Sequence, residues 1–405
     1  CGLAAAVLLT QRGVPFTIVE KSAEVGGLSS TIILDGEQFE LGPHIYFDKD
    51  PEVLEFWHQL VGNRLKTYER RTHLFYDGKF VKSPLSALDA LHKLGPTAIA
   101  KMLLSFASAK LSKPKIENAA DWVIANFGSE LHERFFRVYN EKIWGLPSEE
   151  IAPDWAGQRI KSSLLTMIYR SLRRDPKFIV KSFAFPDGGS KAIAAAQEEL
   201  IRHNPRAVMR LNSEPRRIVK TDSGFDVWLD ADVDPTPFSH VISTIHLSDL
   251  CDILNYPKKD QTIISKNIRK LVYRDLILLN FVFRSSEFRN TRDHWIDIHD
   301  PTVAALRVTN FSNYQQSASD RVAIGIEYNC SAGDAFSSLS DDEMLAQGLA
   351  DLRRMDLTSA QPVASSVVRL PKAYPVYFKG YRQFTAPLFE ELGKVGGLVL
   401  AGRNA

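Results

Sequence analysis

The first residues of the chain whose types and spacing could do chemistry are glycines and one acid. Gly2 opens an alanine- and leucine-rich segment, Gly13 closes it, and an apolar run at 15–19 ends in Glu20. A helix N-terminus presents unpaired N–H groups to a pyrophosphate, and an acid at the end of a strand accepts from a ribose hydroxyl. A side chain at Gly2 would hold the helix away from the strand. This order predicts the second half of a dinucleotide-binding βαβ unit, which alone fits a nicotinamide as well as a flavin.

A pair of glycines six residues beyond Glu20 narrows the choice of cofactor. Gly26 and Gly27 stand in VGGLSST, and LGPHIYF follows at 41–47. The stretch 21–30 resembles the signature of lysine, double glycine and Ser/Thr that follows the dinucleotide fold in amine-oxidase and protoporphyrinogen-oxidase-like flavoproteins. The resemblance implies FAD as the cofactor, held without a covalent link.

The same resemblance implies which residues contact FAD. In that family the double glycine lets the backbone approach the pyrophosphate and ribityl chain, and a turn like the one at 42–44 lies beside the isoalloxazine ring. For His44 itself we favour a hydrogen-bonded turn histidine without a chemical role. The implied contacts in the opening segment are Gly2, Leu3, Glu20, Lys21, Gly26, Gly27, Leu28, Ser29, Gly42, Pro43 and His44.

The composition limits the classes of partner. The 405 residues are enough for two domains and a large core, and 44% apolar with 24% charged residues is ordinary for a soluble globular protein. A net charge of +2 gives no reason to expect nucleic acid or an acidic partner. Cys1, Cys251 and Cys330 fit no metal spacing and favour free thiols in a reducing compartment, so we expect a cytoplasmic location and no metal. No apolar run approaches the ~20 residues of a membrane span.

The stretch YNEKIWGLPSEEIAPDWAGQRIK at 139–161 is the second informative motif. It resembles the pattern Tyr-x-x-Lys-x-Trp-x-x-Pro, then Trp-x-x-x-Arg, of UDP-galactopyranose mutases. In the mutases the arginine aligned with Arg159 lies at the sugar-nucleotide site. Two hypotheses for Arg159 stay open, a substrate contact and a bridge between two helices. For Trp144 and Trp155 we favour core packing.

A third motif, DHWIDIHDPTVAALRVTNFSNYQ at 293–315, is again similar to the mutase pattern. Arg307 matches a diphosphate-binding arginine there, and Tyr314 matches a tyrosine that reaches the same group. A guanidinium pairs bidentately with phosphate, so two arginines from separate segments suit a diphosphate-linked substrate. Asp297 stands where the mutases have a substrate-contacting tyrosine, and its negative charge would repel a diphosphate.

Two strand-like segments near the C-terminus also match the family. In VVRLPKAYPVYFKGY, Tyr374 matches a residue that lines the flavin pocket, and an exposed aromatic strand is the alternative. LVLAGRNA at 398–405 resembles the closing strand and glycine before the helix that faces the ribityl phosphate, which implies FAD contacts at Gly402 and Arg403. We expect the chain to lack that helix and the strand that opens the cofactor site.

The middle of the chain predicts further elements of the cofactor domain. FPDGGSKAI at 185–193 is a glycine turn that leads into a helix, and HVISTI at 240–245 indicates a buried parallel strand. In the family a β-meander between them carries the adenine contact, which falls at about Pro215. Short strands are expected at 207–211, 215–220 and 225–230.

Together these features predict an α/β fold. A Rossmann-like FAD-binding domain, with a βαβ unit, a parallel sheet and a β-meander, is interleaved with an α+β substrate domain. The FAD-binding domain is expected to take residues 1–50, 183–264 and 389–405, and the substrate domain a helical part, 51–182, and a β-rich part, 265–388. Within the β-rich part, Ser340 and Glu343 predict a capping box at the start of a helix.

The function predicted first is that of an FAD-dependent oxidoreductase of the amine-oxidase and protoporphyrinogen-oxidase-like class, in which FAD takes a hydride from a small organic substrate. The first alternative is an isomerase similar to UDP-galactopyranose mutase, which uses reduced FAD on a nucleotide sugar without net redox. The second alternative is a flavin-binding protein without turnover. No acid–base residue stands out, so no catalytic residue is assigned. The implied substrate contacts are Arg159, Arg307, Tyr314 and Tyr374.

Overall fold

The chain forms a mixed α/β structure with parallel and antiparallel sheets, which confirms the predicted fold class. The computed structural model describes residues 1–47, 50–83, 87–159, 182–230, 232–255, 261–314 and 320–403. Its α-helices are α1 (Gly2–Gln11), α2 (Pro51–Val61), α3 (Ala87–Leu94), α4 (Pro96–Ser112), α5 (Ala119–Phe127), α6 (Ser129–Leu131), α7 (Val138–Trp144), α8 (Pro153–Arg159), α9 (Lys191–Arg202), α10 (Leu247–Ile253), α11 (Gln261–Ile268), α12 (Asp341–Arg354) and α13 (Arg382–Gly393). Its strands are β1 (Phe16–Val19), β2 (Thr31–Leu34), β3 (Glu37–Glu40), β4 (Leu65–Glu69), β5 (Thr72–Tyr76), β6 (Lys79–Ser83), β7 (Ser182–Pro186), β8 (Ala207–Arg210), β9 (Pro215–Lys220), β10 (Phe225–Leu229), β11 (Thr236–Phe238), β12 (Val241–Ser243), β13 (Leu254–Asn255), β14 (Tyr273–Arg284), β15 (Trp295–Ile298), β16 (Arg307–Asn310), β17 (Arg321–Cys330), β18 (Ala364–Pro375) and β19 (Leu398–Leu400).

The elements predicted to bind the cofactor form two parallel strand pairs and a meander. β1 runs parallel to β8, and β12 runs parallel to β19. β9 and β10 lie at two of the three predicted strand positions and pair in antiparallel order, and β11 extends this meander. The third predicted strand, at 207–211, is β8, which pairs with β1 instead. α1 packs against α9 through a small core that contains Ala6, Val7 and Ile201.

The largest sheet has seven strands in the order β18-β14-β17-β16-β15-β5-β6. Along β17, Ile324, Ile326 and Tyr328 belong to the main apolar core, which also contains Met344 of α12. Because successive side chains of a strand point to opposite faces, Glu327 lies on the other face of the sheet. That second face carries the polar groups described below.

Two helices, α12 and α7, pack against the seven-stranded sheet. α12 begins with the predicted capping box, in which the Ser340 hydroxyl accepts from the Glu343 N–H and the Glu343 carboxylate accepts from the Ser340 N–H. α7 reaches the seven-stranded sheet through Tyr139 and Lys142, which contact β15 and the turn after it. Within the described ranges, no helix is long and apolar enough to cross a membrane.

Candidate functional site

The N-terminal helix starts beside the ends of β12 and β19. A Cβ atom at Gly2 would lie 3.6 Å from Oγ1 of Thr244, and a Cβ at Gly402 would lie 3.6 Å from Sγ of Cys1. Leu3 packs into the small core beneath α1. The structure therefore brings Gly2 and Gly402, the two ends of the predicted cofactor segment, to one place at a helix N-terminus.

Glu20 and Lys21 lie next to the segment that contains Pro215. The Glu20 carboxylate accepts from the Ser22 N–H at 2.9 Å, and the Glu20 carbonyl accepts from the Ser213 N–H at 3.0 Å. Lys21 lines an open surface cleft whose other wall includes the two neighbours of Pro215. The residues predicted for the ribose and the adenine are thus adjacent in space.

The double glycine forms a tight turn with open space beside it. Gly26 and Gly27 have φ values of 122° and 56°, and a 3₁₀ turn runs from Gly27 to Ser29. A Cβ at Gly27 would meet nothing within 4 Å, and Leu28 is exposed. Because glycine has no side chain, its backbone can come close to a phosphate or a ribityl chain placed in this open space.

A buried carboxylate, Glu40, joins this turn to the glycine pair after β7. Glu40 is 3% exposed and accepts from the Thr31 hydroxyl at 3.0 Å and from the Ser190 N–H at 3.1 Å. A Cβ at Gly189 would lie 2.7 Å from Oγ1 of Thr31 and still closer to the Glu40 carboxylate. Only glycine fits there, because the backbone passes directly over the acid.

The turn Gly42–Pro43–His44 follows Glu40. Nδ1 of His44 lies 3.6 Å from the Glu40 carboxylate and is buried without a hydrogen-bond partner among the described residues. A narrow crevice, too small to admit a water molecule, lies beside the turn and is lined by Glu40, Gly42, Thr309 and Glu327 among others. The hydrogen bond favoured for His44 from the sequence is therefore not made at Nδ1, which faces the Glu40 carboxylate and keeps an open hydrogen-bonding position.

Three charged residues form a row on the second face of the seven-stranded sheet. Asp297, Arg307 and Glu327 lie directly opposite one another on β15, β16 and β17. Arg307 donates from Nε to Asp297 Oδ1 at 2.7 Å, and its Nη1 is 3.5 Å from Glu327 Oε1. We refer to these three residues as the charged row.

The two acids of the row differ in their proton affinity. Burial alone would raise the pKa of Asp297, but the charge of Arg307 and its hydrogen bond outweigh this and hold that pKa below its ordinary value. Burial raises the pKa of Glu327, although Arg307 acts in the opposite direction. Asp297 is therefore the permanent counter-ion of Arg307, and Glu327 is the acid better able to hold a proton.

Tyr139 and Trp295 complete the coordination of Asp297. The Tyr139 hydroxyl donates to Asp297 Oδ1 at 3.0 Å and accepts from Nη2 of Arg307 at 3.1 Å, and Nε1 of Trp295 donates to Oδ2 at 3.3 Å. Lys142, one turn beyond Tyr139, donates to three backbone carbonyls between 298 and 305. The Tyr-x-x-Lys part of the second motif thus fixes α7 to the sheet beneath the charged row.

Tyr314 lies in an aromatic cluster beside the row. Its ring is 5.6 Å from that of Phe183 and 5.0 Å from that of Phe185, and it is 3% exposed. Its hydroxyl has no hydrogen-bond partner among the described residues. Arg70 packs against Trp295 of the same cluster, with its guanidinium 5.1 Å from the centre of the Trp295 ring.

Of the two remaining predicted substrate residues, the structure describes the side chain of Tyr374 alone. The Arg403 guanidinium lies 4.9 Å from the centre of the Tyr374 ring and donates to the Ala373 carbonyl at 2.6 Å. Tyr374 therefore contacts Arg403, one of the residues predicted to hold the cofactor. Arg159 ends α8, and its side chain lies outside the described residues.

Sequence patterns missed Arg70, Tyr139 and Glu327. Arg70 stands in a connection between two strands without a motif, and Glu327 alternates with apolar residues in β17 as an outward-facing acid would. Tyr139 belongs to the motif at 139–161, but no neighbouring residue indicated that its hydrogen-bond partner would be Asp297, 158 positions away.

The glycine turns, the helix N-terminus and the acid after β1 are the parts that the sequence predicted for a dinucleotide-binding site, and the structure contains each of them. The residues present fit FAD, because Gly27 leaves space for it and the buried Nδ1 of His44 has no hydrogen-bond partner among the described residues. The chain belongs to the flavin-containing amine oxidoreductase family, whose model matches residues 1–404. FAD as the cofactor is thereby confirmed.

Individual relatives have more than one chemistry. The chain is 26% identical over 174 residues to the UDP-galactopyranose mutase of Mycoplasma pneumoniae, a match that covers 40% of this chain and only 42% of that enzyme. A reduced UDP-galactopyranose mutase structure aligns with a TM-score of 0.84 and 18% identity, covering 99% of this chain and 86% of that one. A proposed protoporphyrinogen oxidase from Exiguobacterium sp. 255-15 aligns with a TM-score of 0.74 and 17% identity, covering 99% and 91%. At these identities the solved structures establish the fold alone.

Proposed function

We propose that this protein is an FAD-dependent oxidoreductase that removes a hydride from a small organic substrate. The observation that favours this function over the mutase is the ion pair between Arg307 and Asp297. Bound FAD supplies the hydride acceptor, which protein side chains cannot provide. The residues around the charged row bind the substrate and keep water away from it.

The ion pair argues against a diphosphate at this place. Arg307 already uses Nε and Nη2 on Asp297 and Tyr139. A diphosphate carries more than one negative charge and would approach the Asp297 carboxylate in a region of low dielectric, where repulsion is strong. The guanidinium would have to exchange its partner for the substrate and leave Asp297 unpaired.

Glu327 is the proposed proton-holding group of the site. Burial raises its pKa, and it borders the narrow crevice beside the turn at 42–44. A carboxyl group of this kind exchanges a proton more readily near neutral pH than Asp297 does. The phenols of Tyr139 and Tyr314 stay protonated because burial raises both pKa values.

The alternative is a mutase-like isomerase that acts on a nucleotide sugar with reduced FAD. It is supported by the TM-score of 0.84 with a UDP-galactopyranose mutase and by the partial sequence match to another. A flavin-binding protein without turnover is the third hypothesis. The division into interleaved domains, the individual FAD contacts and the cytoplasmic location stay predictions.

One experiment separates these functions. The FAD-loaded protein is mixed anaerobically with amines, amino acids and other small oxidisable organic molecules, and separately with UDP-galactopyranose, each with and without dithionite. An oxidoreductase bleaches the visible flavin absorption with an organic substrate alone and regains it in air. Interconversion of the sugar ring that requires dithionite would instead establish the mutase, and neither result in any mixture would favour the third hypothesis.

A further inference from the structure

We propose that Arg70 and Tyr314 bind a single carboxylate of the substrate, so that this enzyme acts on a small organic monoanion. The inference rests on the proposed function and names the substrate class of the same site. It follows from two polar groups that the protein itself leaves without partners.

Arg70 makes no direct ion pair among the described residues, and the carboxylate whose charge acts on it, Asp297, is already paired with Arg307. Arg70 follows β4, its guanidinium stacks over Trp295 at 5.1 Å, and its Nε is buried without a hydrogen bond. No ion pair joins it to a carboxylate among the described residues. Its neighbour Arg71 differs in this respect, because Arg71 pairs with Glu69 at 3.0 Å on the surface.

The Tyr314 hydroxyl is the second group without a partner. The residue is 3% exposed, and its hydroxyl makes no hydrogen bond within the described part of the chain. Tyr314 and Arg70 border the same aromatic cluster, since the Phe183 ring contacts both Tyr314 and Trp295. The two groups also influence each other electrostatically. Buried hydroxyls are normally hydrogen-bonded, so an unpartnered one in the same cluster as a guanidinium without a direct ion pair indicates a ligand with acceptor oxygens.

The charges of the surrounding side chains favour a ligand that carries one negative charge. Arg307 is neutralised by Asp297 at 2.7 Å, and Glu327 brings a further acid to the same row. When Glu327 holds its proton, as its raised pKa favours, Asp297 cancels Arg307, and the charge left over among the described residues of this cluster is that of Arg70, which one carboxylate balances. A diphosphate would bring at least one charge that no described residue of this cluster compensates.

The test is calorimetric titration of the FAD-loaded protein with benzoate, its neutral analogue benzamide, and pyrophosphate. We expect benzoate to bind and the other two to bind far more weakly. Arg70→Met should weaken benzoate binding by about 10- to 150-fold, since one charge-assisted hydrogen bond is lost. Tyr314→Phe should weaken it by about two- to tenfold.

The control is Arg71→Met, which removes a neighbouring arginine whose charge is already paired at the surface. It should leave benzoate binding unchanged. If Arg70→Met fails to fold, Arg70→Lys keeps the charge and should retain part of the affinity while losing the planar fork.

Three outcomes would overturn the inference. They are no benzoate binding by the wild type, equal binding by wild type and Arg70→Met, and pyrophosphate binding that depends on Arg70 where benzoate does not bind. Because the titration needs no turnover, it can fail while anaerobic flavin reduction succeeds. Conversely, carboxylate binding without flavin reduction would count against the proposed redox function alone.

Discussion

Asp297 and Arg307 face each other across β15 and β16, and the Arg307 Nε donates to Asp297 Oδ1 at 2.7 Å. Their side chains are only 14% and 23% exposed, so each charge depends on the other for stabilisation. We expect Arg307→Met to lower the free energy of unfolding by about 3 kcal/mol, because Asp297 remains without its cation. Asp297→Asn should lower it by less, because Arg307 keeps Glu327 at 3.5 Å. Urea unfolding of both single variants and the double variant measures this, and the double should lose less than the sum.

Glu327→Gln is the matched control for that cycle. Glu327 lies in the same row but is 3.5 Å from Arg307, and its raised pKa reflects a carboxyl that is poorly stabilised as an anion. Its replacement by the neutral amide should change stability by less than about 1 kcal/mol. Strictly additive losses in the Arg307 and Asp297 double variant would show that the pair is not coupled.

Two buried histidines should make the protein sensitive to acid. Burial lowers the pKa of His294 and of His299 from 6.5 to about 4. Between these pH values the unfolded chain takes up protons that the folded protein does not, so the free energy of unfolding falls as the pH drops from 6.5 to 4. Each histidine should contribute on the order of 3 kcal/mol to this fall, since one pH unit corresponds to about 1.4 kcal/mol.

Denaturant unfolding across that pH interval checks the expectation. His294→Gln and His299→Gln should each flatten the dependence, and the double variant should flatten it most. His203→Gln, which replaces an exposed histidine, is the comparison. A wild-type stability that stays constant through the interval would contradict the prediction.

Gly188 and Gly189 allow a test of close packing over Glu40. Both have positive φ, 89° and 76°, so alanine strains the backbone at either position. A Cβ at Gly188 meets its nearest neighbour at 3.7 Å, whereas one at Gly189 would collide with Thr31 and Glu40. We expect Gly189→Ala to cost about 1–3 kcal/mol more than Gly188→Ala in thermal or urea unfolding. Equal losses would mean that the Glu40 side chain moves away freely.

The cofactor prediction can be tested at Gly27. Gly27→Val should strongly reduce the flavin that co-purifies with a folded protein, because a branched side chain would occupy the open space beside the turn. Gly36→Val is the control, since Gly36 also has positive φ and open space but lies in the turn between β2 and β3. The flavin-to-protein absorption ratio after gel filtration is the measurement. Full flavin content in Gly27→Val would remove the double glycine from the cofactor site.

Much of the fold follows from local patterns. The capping box at Ser340, the helix from Lys191 and the strands of the meander are set by neighbours in sequence, and the structure has them where they were predicted. The grouping of Gly2 with Gly402 followed from family resemblance and agrees with their placement beside Cys1 and Thr244.

The site depended more on distant contacts, and there the sequence was less informative. Asp297 looked like an obstacle to an anionic substrate, and only the strand pairing shows that it is the counter-ion of Arg307. Tyr374 was grouped with the substrate residues, but a cation–π contact joins it to Arg403. Arg70 carried no pattern at all, because an unpaired charge is defined by what surrounds it in space.

The charged row has a consequence for how the sheet assembles. Asp297, Arg307 and Glu327 stand at one level of three adjacent strands, and the next residues at that level are Leu74 on β5 and Leu278 on β14. A strand that paired one residue out of step would turn its charge to the apolar face beneath α12. An unpaired charge there costs several kcal/mol, so misaligned sheets are strongly disfavoured. The charged row therefore helps to specify the register of the sheet, because its charges are paired only when β15, β16 and β17 are all correctly aligned.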